Sequence, residues 1–206
     1  MEEILDEEGL RGVLHTPEHA TGAGLALTHG AGSDADAPLL VSLSRTFCEA
    51  GVMVLRYHLP FRVARASGPP FPSTAARDRE GIVRAVEALR QRVKGRVFAG
   101  GHSYGGRQTA MIAAERPVMA DGLLLLSYPL HPPKKPDQPR TGFFAEWRTP
   151  ALFVHGTRDP FGTVEELRTA IELIPARVDL MAVEGAGHDL RQAARMGEEI
   201  LARMLF

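Results

Sequence analysis

Cysteine is nearly absent from this chain. The single one, Cys48, can build neither an intramolecular disulfide framework nor a CxxC metal site. There is no excess charge of either sign: 24 Lys and Arg against 25 Asp and Glu give a formal net charge of −1. No global field therefore draws the protein to nucleic acid or anionic lipid. Long apolar runs are missing too, and nothing approaches the roughly 20 residues of a membrane span. The first eight residues, Met-Glu-Glu-Ile-Leu-Asp-Glu-Glu, are acidic and carry no apolar core, unlike a signal peptide. A cytoplasmic location is the default expectation. Internal repeats are absent. Gly22 and Gly24 precede a strand rather than follow one, which excludes a dinucleotide-binding fingerprint.

What is present is ordinary globular composition, 44% hydrophobic and 24% charged over 206 residues. That length suits one domain, 1–206, with a core large enough to need no staples. Along it, short apolar runs alternate with helical periodicity. Strands are expected at 25–28, 52–55, 96–99, 122–126, 151–154 and 178–183. Leu40, Leu43 and Phe47 mark a first helix, with Asp36 as N-cap and Gly51 as its stop. Ile82, Val86, Leu89 and Val93 form a second stripe that ends at Gly95. A third helix runs from Tyr104 to a halt at Pro117. Thr163 to Glu166 reads as a capping box ahead of Leu167, Ala170, Ile171 and Ile174. A last helix carries Leu190, Ala194, Leu201 and Met204, with Asp189 as its N-cap. Alternation of this kind implies a mainly parallel, doubly wound sheet with helices on both faces. Ligands bind such sheets at the carboxyl ends of the strands.

Two segments break the rhythm: 57–74, and 127–150 with its five prolines from Pro129 to Pro139. Both leave strand carboxyl ends and should border one mouth. Their aromatics, Tyr57, Phe61, Phe71, Tyr128, Phe143 and Trp147, either line an acyl pocket or anchor the loops. Arg62, Arg65, Arg77, Lys134, Lys135 and Arg140 either attract an anionic substrate or are simply solvated.

The strongest chemical signal is Gly101-His102-Ser103-Tyr104-Gly105-Gly106, directly after a strand and before a helix. A strand turning abruptly into a helix strains the serine backbone and leaves no room for side chains two residues away on either side. The turn lifts the Ser103 hydroxyl onto a helix N-terminus, where amide dipoles favour developing negative charge. A serine needs a base. His188, just past the last strand in Gly185-Ala-Gly-His-Asp189, is best placed of the eight histidines. The histidine needs an acid. Asp159, after the strand at 151–154, is the candidate, with Asp137 a weaker rival in proline-rich surroundings. An oxyanion needs donors. The Tyr104 amide supplies one; Ala31 in His29-Gly30-Ala31-Gly32 supplies the other, with Gly30 or Gly32 as alternatives. His29 itself reads as a brace for that loop, and Cys48 as a small buried residue of the first helix, far from the elbow.

On these motifs, together with Gly156-Thr157-Arg158-Asp159, the chain resembles the α/β-hydrolase superfamily over nearly its whole length. It is similar to the small branch without a large cap domain, near the dienelactone hydrolases and the testis-expressed hydrolase-like proteins. Dienelactone hydrolases carry cysteine at the elbow where this chain has Ser103, so their substrate is not implied. The resemblance implies an α/β-hydrolase fold and a serine hydrolase for a small carboxylic ester or thioester, with no metal or cofactor. A monomer or homodimer is expected. The contrasting reading is a non-catalytic scaffold that binds a small molecule or a protein.

Overall fold

The computed structural model describes residues 1–7 and 9–204. Its centre is an eight-stranded sheet in the order β1-β2-β4-β3-β5-β6-β7-β8. The strands are β1 (Glu2–Glu7), β2 (Leu10–His15), β3 (Gly24–Thr28), β4 (Met53–Tyr57), β5 (Val97–His102), β6 (Gly122–Leu126), β7 (Ala151–Gly156) and β8 (Val178–Val183). From β4 through β8 every pairing is parallel, while β1 and β2 form an antiparallel hairpin on the β4 edge.

That hairpin is not visible in the sequence pattern. Its outer strand is mostly acidic and exposed, with Leu5 alone buried. Charge on an edge strand discourages pairing with another chain, and it also hides the strand from a search for apolar runs.

The four leucines of β6 show why the centre of the sheet reads as unbroken apolar sequence. Leu123 and Leu125 enter the core on one face, Leu124 and Leu126 the core on the other, and all four are fully buried. Period-two geometry sends neighbours to opposite faces, so a sheet covered on both sides must be apolar at every position. The first face is covered by α3 (Ala75–Arg90), α4 (Tyr104–Glu115) and α5 (Val164–Ile171). The second is covered by α1 (Pro38–Glu49) and α6 (Gly197–Met204).

Helix ends depart from expectation in three places. Helix α1 begins after Ala37, with Pro38 in its first turn and no side-chain cap. Asp36 instead pairs with the buried Arg56 guanidinium, so an ion pair outcompetes the cap. Helix α3 stops at Arg90, before Val93. The expected last helix is broken: a 3₁₀ segment spans Arg191–Arg195, its entry set by Leu190 in the left-handed region (φ 49°) rather than by Asp189, and α6 follows. The capping box forms as read, with the Glu166 amide on Thr163 Oγ1 at 3.1 Å and the Thr163 amide on Glu166 Oε2 at 2.7 Å. Segment 57–74 contains a short helix, α2 (Pro60–Ala64), started by Pro60 at its first turn.

Candidate active site

Ser103 is the hinge between β5 and α4, at φ 50° and ψ −114°. A non-glycine residue rarely adopts that backbone, and holding it there costs on the order of 1–3 kcal/mol. Neighbouring glycines make it possible by close approach. A Cβ on Gly101 would stand 2.7 Å from the Gly106 nitrogen, and one on Gly106 would stand 2.5 Å from the Gly101 carbonyl. The Ser103 amide donates to Leu126 across the strand ends at 2.8 Å.

His188 approaches from the loop after β8. Ser103 Oγ donates to His188 Nε2 at 2.8 Å, and His188 Nδ1 donates to Asp159 Oδ2 at 2.8 Å. Asp159, after β7, has a fully buried side chain. Burial alone would raise its pKa. The hydrogen bond and charge of His188, with the Phe161 amide at 2.9 Å on Oδ1, outweigh burial and hold the carboxyl below its ordinary range. Asp137 is exposed on the proline-rich segment, away from this chain of bonds.

Several residues that the sequence did not single out hold His188. The Phe161 ring lies against the imidazole, centroids 4.2 Å apart and planes 32° apart. From below, His102 Nε2 donates to the His188 carbonyl at 2.7 Å. Burial lowers the pKa of His102, which favours the neutral ring. The only sequence signal for His102 was its place in the elbow motif, where any residue is allowed. Beneath Asp159, the buried His155 donates from Nε2 to the Gly162 carbonyl at 2.8 Å.

The two amides expected to hold an oxyanion come from α4 and from the loop after β3. As the first amide of α4, Tyr104 N–H has no intrahelical acceptor. Ala31 sits half-buried in the facing turn. The two segments touch, since a Cβ on Gly105 would fall 2.4 Å from the His29 carbonyl. His29 braces the turn from inside. Its Nε2 accepts from the Leu59 amide at 3.0 Å, so Nδ1 carries the proton and donates to the Gly30 carbonyl at 2.9 Å. Burial lowers the His29 pKa to about 4 and keeps this tautomer neutral.

Arg62 ties the same turn from outside. Its guanidinium donates to the carbonyls of Ser33 (2.9 Å), Ala31 (3.1 Å), Gly68 (3.2 Å) and Arg65 (3.2 Å), and the residue is buried. This arginine is occupied by backbone and cannot serve as an anion lure. Arg65 stacks on Phe71 and donates to Pro69; Arg77, Lys134 and Lys135 are exposed. Arg140 donates to the Pro129 carbonyl at 3.2 Å.

Most of the loop aromatics anchor rather than line a pocket. Tyr57, Tyr128 and Trp147 are fully buried in the core, and Phe71 is largely exposed. Phe61 packs on both His29 and the edge of Tyr104. The Tyr104 hydroxyl donates to Asp78 at 2.8 Å, and Asp78 also accepts from the Phe61 amide at 2.9 Å. This buried carboxylate thus couples α2, α3 and the start of α4.

Chemically the arrangement offers a hydroxyl facing an imidazole with a carboxylate behind it, at the first amide of a helix. Among the described residues, no group of three or more His, Cys, Asp or Glu could hold a metal ion, and no helix is long and apolar enough to cross a membrane.

Comparison with known proteins agrees with this architecture. The chain is similar to a solved alpha-beta serine hydrolase homologue from Coxiella burnetii, at 15% identity over 98% of this chain and 96% of that one, with a TM-score of 0.78. It is similar to a dienelactone hydrolase from Anabaena variabilis, at 20% identity over 99% and 98%, TM-score 0.75. Est1E from Butyrivibrio proteoclasticus matches at 18% identity over 99% and 97%, TM-score 0.77. Identities this low establish a common fold. Residues 21–204 match the family of alpha/beta hydrolase domains, a span that contains the turn after β3, the elbow and the loops after β7 and β8. With its elbow between β5 and α4 and its family match running from β3 to α6, this chain belongs to the α/β-hydrolase family.

Proposed function

We propose that this protein is a serine hydrolase that cleaves a small carboxylic ester or thioester through an acyl-enzyme on Ser103. The observation that carries the reading is the unbroken hydrogen-bonded line from Ser103 to His188 to Asp159, with both links at 2.8 Å, at a strained elbow. Ser103 Oγ attacks the carbonyl carbon while His188 Nε2 takes its proton. The carbonyl oxygen becomes an oxyanion, held by the amides of Tyr104 and Ala31. Asp159 fixes the imidazole tautomer and stabilises the imidazolium. As the carbon–oxygen or carbon–sulfur bond breaks, the proton on Nε2 passes to the leaving alcohol or thiol. Water then gives a proton to His188 and attacks the acyl carbon, releasing the acid and restoring Ser103. Nucleophile and base are both side chains, so these steps call for no cofactor. Loss of a nucleophile or base from such a unit costs about 10⁶-fold in kcat.

The test is turnover of p-nitrophenyl acetate together with labelling by a fluorophosphonate probe. The wild-type chain is expected to hydrolyse the ester and to be labelled at Ser103. Ser103→Ala is expected to lose both while keeping its circular dichroism spectrum, and His188→Ala to lose labelling. Turnover surviving in Ser103→Ala, or labelling at another serine, would overturn the assignment. A wild-type chain that neither reacts nor labels is a binding scaffold instead.

A further inference from the structure

A cavity of about 440 Å³ opens beside the elbow, on the face covered by α1. Its walls include Ser33, Ala37, Leu39, His102, Asp189 and Ala194. Three of these are immediate extensions of the site already described. Ser33 lies two residues beyond Ala31, His102 directly precedes Ser103, and Asp189 directly follows His188. The His102 ring spans the gap between the loops, bonded to the His188 carbonyl and lying 3.0 Å from where a Gly30 Cβ would stand. The polar side chains of the lining are Ser33, His102 and the exposed Asp189–Arg191 ion pair (2.6 Å); the remaining lining side chains, from the start of α1 and Ala194, are hydrocarbon. A larger cleft of about 550 Å³ lies between the β1–β2 hairpin and α3, bordered by Glu7, Arg84, Glu87 and Arg92. Its lining includes none of Ser103, His188 or Asp159, and its border is charged.

We infer that this cavity receives the leaving-group side of the substrate, and that the substrate is the ester or thioester of an apolar, unbranched alcohol or thiol of about four to eight carbons. The inference rests on the hydrolase reading, and the direction follows from the chemistry. His188 Nε2 must hand its proton to the leaving atom, so the leaving group extends on the imidazole side, and the cavity is walled by the residue after that imidazole. Its volume falls within the 300–1,000 Å³ usual for small-molecule sites. Each methylene taken out of water strengthens binding by up to about fourfold.

Two measurements on the full chain test this. The first is kcat/KM along acetate esters from methyl to hexyl. It is expected to rise at least tenfold in the wild type, and to lose that rise in Ala37→Phe and in Ala194→Trp, with the wild-type circular dichroism spectrum kept in both. The second is titration with 1-hexanol followed by methyl NMR, with shifts expected at Leu39 and Ala194 and a half-saturation at least tenfold below that of ethanol. A flat ester series in an active wild type, a rise that survives in both filled variants, or hexanol shifts confined elsewhere would each overturn the proposal. Hexanol binding at Leu39 and Ala194 in a chain that turns over no ester would sink the hydrolase reading, and the leaving-group role with it, and leave the cavity a binding site for an alkyl chain.

Discussion

Ser103 trades stability for position. At φ 50° its Cβ is strained in both the wild type and Ser103→Ala, while Ser103→Gly relieves it. Glycine gives back part of the gain as chain entropy. We expect Ser103→Gly to be about 1 kcal/mol more stable than Ser103→Ala in urea denaturation, with both inactive. Arg62 acts at the same scale through other groups. Its four backbone acceptors include Ala31 and Ser33, so Arg62→Met frees the turn that carries the proposed second oxyanion donor. Losing one oxyanion donor outright costs about 10²–10³ in kcat. A loosened turn should cost about 10-fold or more in kcat on p-nitrophenyl acetate with little change in KM, and added methylguanidine should restore part of it.

Among the elements, the contact between α4 and the loop after β3 sets the spacing of the two proposed oxyanion donors. Gly105 is where they meet, and a methyl group there would push against the His29 carbonyl at 2.4 Å. That neighbour is backbone and cannot rotate away. Gly105→Ala is expected to destabilise the fold by about 1–3 kcal/mol, as overpacking generally does, and to lower kcat more than it raises KM. Chemical denaturation and steady-state kinetics read the two effects separately. Helix α5 offers a contrast, because its capping box is local and neither of its bonds reaches Ser103, His188 or Asp159. Thr163→Ala should cost about 1 kcal/mol of stability and leave turnover unchanged.

Over the whole molecule, burial leaves an acid-sensitive fold. His15, His29, His58, His102 and His155 all have lowered pKa values, with burial the leading cause in each. For His29 the ordinary value of 6.5 falls to about 4. Between those values the unfolded chain binds a proton that the folded chain refuses. Stability from this group is therefore full above pH 6.5 and is lost as pH falls toward 4. The shift corresponds to about 3 kcal/mol from His29 alone. Asp78, whose pKa burial raises, works in the opposite sense and offsets part of the loss. Unfolding free energies measured from pH 7 to pH 4 should decline steeply. The decline should be shallower in His29→Gln, which cannot titrate; an equal slope in the two chains would exclude His29 as a source.

The sequence by itself determined the alternation of strand and helix, the elbow between β5 and α4, and the placement of His188 and Asp159 just beyond strand ends. Those features are written in short-range signals: apolar period, glycine at tight turns, a capping box. Only the tertiary structure decided the rest. It set the 2.8 Å spacings among side chains 85 and 29 residues apart. It laid Phe161 against His188 and put His102 beneath it. It turned Arg62 inward to four carbonyls, sent Tyr57, Tyr128 and Trp147 into the core, and opened an apolar cavity between two loops. Each of these depends on which backbone passes within a few ångströms of which other. Local periodicity carries no record of that, because a strand end or a loop arginine reads the same whatever folds against it.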